Sequence, residues 1–192
     1  MDYFANDKIV LPERGDLLIS EPYLPDPNFE RTVILLCEHD ENGSFGFVLN
    51  KPSEHRLSEL IEGYQGPDSE VYVGGPVQQN TLHFLHSGME TFPGDKKIAE
   101  GIYWGIDFDA LKVVLSTTNE EVGSPRIFVG YSGWSVGQLE EELATKSWIV
   151  HKRADAKFVF RESADILWKA ALEDMGGKFR MIANYPLDPR LN

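Results

Sequence analysis

The chain has 192 residues, 42% of them hydrophobic and 26% charged, which suits one folded domain and excludes a disordered or fibrous chain. Eighteen Lys and Arg face 31 Asp and Glu, a net charge of -13. Such a surface repels phosphate backbones and anionic lipid, and the short basic runs Lys96-Lys97 and His151-Lys152-Arg153 make no stripe for duplex DNA.

The single cysteine, Cys37, can form no intrachain disulfide, which suits a reducing compartment. The N-terminus, MDYFANDKIVLPERGD, has an early acid and no apolar core of secretory length. No stretch approaches the ~20 apolar residues of a membrane span. The expectation is a cytoplasmic protein without a membrane partner.

Along the chain, GDLLIS (15–20) reads as a strand stopped by the prolines of EPYLPDP. RTVILLCEH (31–39) is apolar without clean alternation and predicts a strand covered on both faces. Asn42-Gly43 then FGFVLN (45–50) predicts a hairpin. LSELIEG predicts a helix that ends at Gly63. EVYVGGPV reads as a strand and tight turn, and TLHFLHS and GIYWGI as strands around a Gly/Pro loop at 88–94. DFDALKVVLS predicts a helix with Asp107 as cap and Phe108, Leu111, Val114 and Leu115 on its apolar face. RIFVGYS reads as a strand, VGQLEEELA as a helix, and WIVHKR and KFVF as short strands. SADILWKAALEDMGG predicts a helix with Ala164, Leu167, Trp168, Ala171, Leu172 and Met175 inward and Gly176 as stop. Strands outnumber helices and do not alternate with them strictly, which favours an α+β domain.

The pentapeptide GWSVG, Gly133 to Gly137, matches the G-x-S-x-G turn that presents a nucleophilic serine. Only His151 follows Ser135 in the chain, and the acid would have to be Glu140, Glu141 or Glu142 inside the next helix, which does not fit a hydrolase elbow. His83 or His86 with Asp107 or Asp109 is the remaining arrangement. A plainer reading makes Ser135 the N-cap and Gln138 its capping-box partner, with Trp134 and Leu139 as a hydrophobic staple and Val136, Leu139 and Leu143 on one face. On that reading, Ser135→Ala costs on the order of 1 kcal/mol of stability. The glycines of GYSGW also leave room for a ligand near the backbone.

His83 and His86 point to opposite faces of a strand, and Cys37 with His39 gives only two ligands, so no metal is expected. Cys37 reads as a buried small hydrophobe. No phosphate loop or dinucleotide fingerprint is present, and no cofactor is expected. Tyr103, Trp104, Trp134, Trp148 and Trp168 read as core aromatics, and Asn50 orients the turn before Lys51-Pro52.

Taken together, GDLLIS, DPNFERTVILLCEHDENGSFGFVLNKP, VYVGGPV, LHFLH, GIYWG, VGYSGWSVGQLEEEL, Trp148 and the closing LDPRLN resemble the YqgE/AlgH family of bacterial proteins, from Gly15 to Asn192. The resemblance implies one α+β domain over 15–192, with a mixed, partly barrel-like β-sheet flanked by helices, after an N-terminal extension of residues 1–14. It implies a bacterial cytosolic protein. It brings a transcriptional-regulator label from a role in exopolysaccharide regulation, with no established mechanism and no agreed catalytic residues.

The reading taken is a non-enzymatic regulatory module that binds a protein or small-molecule partner without touching nucleic acid. Its candidate surface is Asn50, Gly74, Gly75, Gly133, Trp134 and Gln138, where the blocks NKP, GGPV and GYSGW would converge. Two alternatives stay open: a hydrolase with Ser135 as nucleophile, and a regulator that contacts nucleic acid directly.

Overall fold

The computed structural model describes residues 9–87, 92–117 and 124–187. Among them are ten strands: β1 (Leu17–Ser20), β2 (Val33–Asp40), β3 (Gly43–Val48), β4 (Pro52–Arg56), β5 (Glu70–Val73), β6 (Val77–His86), β7 (Lys96–Ala99), β8 (Ile102–Gly105), β9 (Arg126–Trp134) and β10 (Trp148–His151). Six helices accompany them: α1 (Leu57–Leu60), α2 (Phe108–Thr117), α3 (Gln138–Ala144), α4 (Ala156–Arg161), α5 (Leu167–Met175) and α6 (Phe179–Ile182). The closing block 188–192 and part of the Gly/Pro loop, 88–91, lie outside the described residues.

The strands join one sheet in the order β10-β1-β2-β3-β9-β6-β8-β7, with β5 on β9 and β4 on β5. Every pairing is antiparallel except β5 with β9, so the sheet is mixed. It curls without closing. β7 reaches back toward β2, where Lys96 Nζ meets Glu38 Oε1 at 2.6 Å.

Period-two alternation gives this sheet two buried faces. In β2, Val33, Leu35 and Cys37 enter the core under α5 and α6, while Ile34 and Leu36 enter the core that α3 covers. The expectation of a strand covered on both faces holds, and each such side chain contributes about 1.5–3 kcal/mol. A third core gathers Phe84 and Ile127 of the sheet with Leu57, Ala110 and Leu111. The apolar face expected of α2 packs there, and Asp107 Oδ1 accepts the Ala110 N–H at 2.8 Å.

Three local expectations change. KFVF is helical in α4, because Asp155 accepts the Lys157 N–H at 2.7 Å, and Ala156, Val159 and Phe160 turn one helical face to the core. The helix expected up to Gly63 is the single turn α1, after which the chain leaves in extended backbone at Ile61. The β2–β3 loop is Glu41-Asn42, one residue earlier than expected, since Gly43 already pairs with Asp40.

β9 is the shared spine. Its first half pairs with β5 on one side and β6 on the other, and its second half passes from β5 to β3. At the handover the backbones nearly touch. A Cβ on Gly74 would lie 2.4 Å from the Gly130 carbonyl oxygen, and one on Gly75 would lie 2.3 Å from the Ser132 nitrogen. Gly130 has φ +67 and slips the alternation by one residue. Phe128 and Tyr131, three apart, therefore pack against the same core.

Arg126 pins the start of β9. The residue is 5% exposed, and its guanidinium donates to the carbonyls of Leu49 (2.9 Å), Val159 and Glu162 and lies 5.0 Å from the Tyr72 ring centre. Burial pulls its pKa down, and three carbonyl dipoles and a π face stand in for water around the charge.

Gly75→Ala is expected to lower unfolding stability by about 3 kcal/mol or more, since both backbones must part. Gly137 has φ +80 but open space around its Cβ position, so Gly137→Ala should lose only about 1–2 kcal/mol. Urea denaturation of the two variants checks the order.

Candidate functional site

The β9 handover leaves a cleft of about 710 Å³ beside it. The β2–β3 hairpin supplies Glu38, Asp40, Asn42, Gly43, Ser44, Phe45 and Phe47; β6 supplies Val77 and His83; β8 supplies Trp104; and β9 supplies Tyr131, Gly133 and Trp134, with Ser135 after it. Gly133 stands opposite Phe45 in the ladder. A Cβ there would press on the Tyr131 ring at 3.2 Å and touch Val77 at 3.8 Å, so the missing side chain leaves this wall of the cleft clear.

The walls are aromatic and steeply set. Phe45 meets Trp104 at 4.9 Å and 64°, and Tyr131 at 5.9 Å and 75°. The His83 ring lies 5.3 Å from Phe47 and 5.9 Å from Trp104.

Two polar atoms in these walls, His83 Nδ1 and Trp104 Nε1, are buried without a hydrogen-bond partner. Leaving such an atom unpaired costs about 1–3 kcal/mol each. The hydrogen-bond network assigns the imidazole tautomer. Thr81 Oγ1 donates to the Gln78 carbonyl at 2.8 Å, so it accepts from His83 Nε2–H at 3.0 Å, which leaves Nδ1 as a bare acceptor. Burial lowers the His83 pKa and favours this neutral form.

Of the residues expected to converge, Gly133 and Trp134 border the cleft, and Gln138 is tied to its Ser135 edge. Asn50, Gly74 and Gly75 do not line it. Asn50 Oδ1 accepts the Val33 N–H at 2.8 Å and its Nδ2 donates to the Arg31 carbonyl at 2.9 Å, which extends the β2–β3 pairing by side chain. Gly74 and Gly75 lie in the backbone crossing, where Ser132 Oγ donates to the Gly74 carbonyl at 3.0 Å.

The GWSVG turn is a helix start of a different kind from the one expected. β9 runs through Trp134, α3 begins at Gln138, and Gly137 is the N-cap in left-handed backbone. Only the Gln138 half of the capping box forms: Gln138 Oε1 accepts the Ser135 N–H at 3.0 Å. Trp134 and Leu139 are buried in one core as the staple expects, while Val136 is 69% exposed. Glu142 gathers the rest of this corner, because its carboxylate accepts from the indoles of Trp134 (2.8 Å) and Trp148 (2.7 Å) and from Gln138 Nε2 (3.0 Å).

The hydrolase alternative finds other partners on its histidines. His83 binds Thr81, and His86 meets Asp95 at 3.1 Å in a pair whose side chains are each 2% exposed. The serine–histidine contact at the cleft is Ser44 Oγ with His39 Nδ1 at 2.7 Å, a cross-strand pair of the hairpin, with Glu140 3.9 Å from Nε2. Cys37 is fully buried, and burial raises its thiol pKa, so the thiolate is disfavoured. Among the described residues no group of three His, Cys, Asp or Glu could hold a metal ion. No described helix is long and apolar enough to cross a membrane.

A family model described as AlgH-like (DUF179) matches residues 17–180. A UPF0301 protein of Chlorobium limicola is 40% identical over 180 residues, covering 93% of this chain and 95% of its own length. Another from Cytophaga hutchinsonii is 41% identical over 180 residues, covering 93% and 98%. The solution structure of AlgH from Pseudomonas aeruginosa superposes with a TM-score of 0.73 at 29% identity, over 94% of this chain and 98% of that one. A crystal structure of a Corynebacterium diphtheriae protein shares the fold at 21% identity, with a TM-score of 0.77 over 95% and 97%.

Ser135→Ala is now expected to change stability by less than about 0.5 kcal/mol, and Gln138→Ala by about 1 kcal/mol, compared by thermal unfolding. For His83 and His86, burial holds the folded pKa below the ordinary imidazole value of 6.5. The unfolded chain therefore binds more protons below that value, so stability is full above pH 6.5 and falls as the pH drops through it. His83→Phe should flatten that fall, read from unfolding curves across the acid range.

Proposed function

This chain belongs to the AlgH-like family, and from that premise we propose that it is a non-enzymatic regulatory module of the bacterial cytoplasm. It takes a small molecule, or a short segment of a partner protein, into the aromatic cleft. The observation that carries this reading is the pair of unpartnered atoms, His83 Nδ1 and Trp104 Nε1, in the walls of one cleft. An acceptor and a donor in the cleft wall lack partners, which a ligand that shifts these rings can supply, and convergent polar groups among apolar walls are the mark of a binding site.

Direct contact with nucleic acid has little support. Four of the five residues in the basic runs are paired within the chain: Lys96 with Glu38, Lys97 with Glu100, His151 with Asp174 and Lys152 with Asp16. A surface of net charge -13 offers few phosphate contacts beyond these.

Gly133→Leu tests the cleft directly, because its side chain would displace the Tyr131 ring and fill the cleft that Gly133 lines. In a thermal-shift screen against a metabolite library, the expected outcome is at least one compound that raises the melting temperature of the natural chain and not that of Gly133→Leu. Compounds that stabilise both equally would place the binding elsewhere. Duplex DNA titrated at low salt, where electrostatic binding is strongest, should give no anisotropy change.

A further inference from the structure

We infer that the cleft takes an organic ammonium group, a proposal that rests on the reading of the cleft as a ligand site. The ring geometry argues first. Phe45 stands at 64° to Trp104, 75° to Tyr131 and 82° to Phe47. These rings pack edge to face, with centres 4.9 to 5.9 Å apart, so they form one continuous aromatic wall and not a slot for a flat heterocycle. An aromatic wall with Glu38 and Asp40 at its rim suits a compact cation.

The charge at the mouth points the same way. Glu38 and Asp40 both line the cleft. Asp40 accepts the Asn42 N–H at 2.7 Å, and among the described residues no lysine or arginine pairs with it. Among the lining residues, His83 contributes a neutral ring whose Nδ1 acceptor is buried without a partner.

The chain also shows the chemistry in use. Lys96 does not line the cleft, yet its ammonium bonds Glu38 Oε1 at 2.6 Å and lies 5.3 Å from the Trp104 ring centre. Carboxylate and indole at this mouth already hold one ammonium group. A ligand ammonium would share Glu38 with Lys96, so Lys96 restrains binding. The source is a free amine or a lysine side chain of a partner, and the two differ in what surrounds the cation.

The test titrates the full chain with n-butylammonium, the neutral n-butanol and the anion butyrate, followed on the Trp104 indole N–H resonance. Butylammonium is expected to bind about tenfold or more tightly than butanol. Lys96→Ala should tighten it severalfold and Glu38→Gln should loosen it. A capped lysine peptide that binds more tightly than butylammonium assigns the cation to a partner protein, and the reverse order assigns it to a free amine. Equal binding of butanol, or no change in Lys96→Ala, overturns the proposal. A response to butanol or butyrate without one to the amine overturns the ammonium assignment and leaves the cleft a binding site. Silence to all three also overturns it, and the library screen with Gly133→Leu then decides the cleft separately.

Discussion

The close approach of β5 to β9 at Gly74, Gly75 and Gly130 is the constraint on which the rest of the fold depends. One strand serves three neighbours because two backbones pass where any Cβ would collide. The left-handed turn at Gly130 then changes which face each later side chain of β9 presents. Tyr131 comes inward beside Phe45, Gly133 faces the opening, and Trp134 enters the core under α3. The cleft is thus a consequence of how β9 passes from β5 to β3.

Polar anchors hold the two ends of that spine. Arg126 ties its start to the end of β3 and the end of α4 through carbonyl oxygens. Glu142 ties its far end to α3 and β10 through two indole N–H groups. Both anchors give a charged group the hydrogen bonds that burial would otherwise remove. Two of the buried atoms left without such bonds, His83 Nδ1 and Trp104 Nε1, lie in the walls of the cleft. An unpaired acceptor and an unpaired donor in the walls of one cleft favour a binding role for that cleft.

Much of the fold was legible in the residues. The two-faced burial of β2 follows from its unbroken apolar run, and the caps at Asp107 and Gly176 follow from residue type. The polar strand β4 was not legible, because its ladder partner supplies what its side chains do not. KFVF was misread since four apolar residues carry no period, although Asp155 ahead of them was a cap signal. The site was legible only in part. Gly133 and Trp134, singled out for their glycine-rich context, border the cleft. Phe45, His83, Trp104 and Tyr131 come from four strands, and their meeting depends on ladder register and on the slip at Gly130. No local pattern encodes that, though a histidine among strand-forming aromatics was a pointer that sequence reading assigned elsewhere.

The most direct measurement is a crystal soaked with a library of small fragments, because the molecule offers a rival site. A groove of about 360 Å³ beside β10, lined by Ile9, Val10, Leu143, Trp148, Met175 and Phe179 among others, is apolar enough to take fragments by hydrophobicity alone. If the aromatic cleft is the functional site, fragment density should gather against Phe45, Trp104 and Tyr131 on the cleft side, with polar atoms toward His83. Fragments confined to the groove beside β10, with the cleft bare, would contradict it.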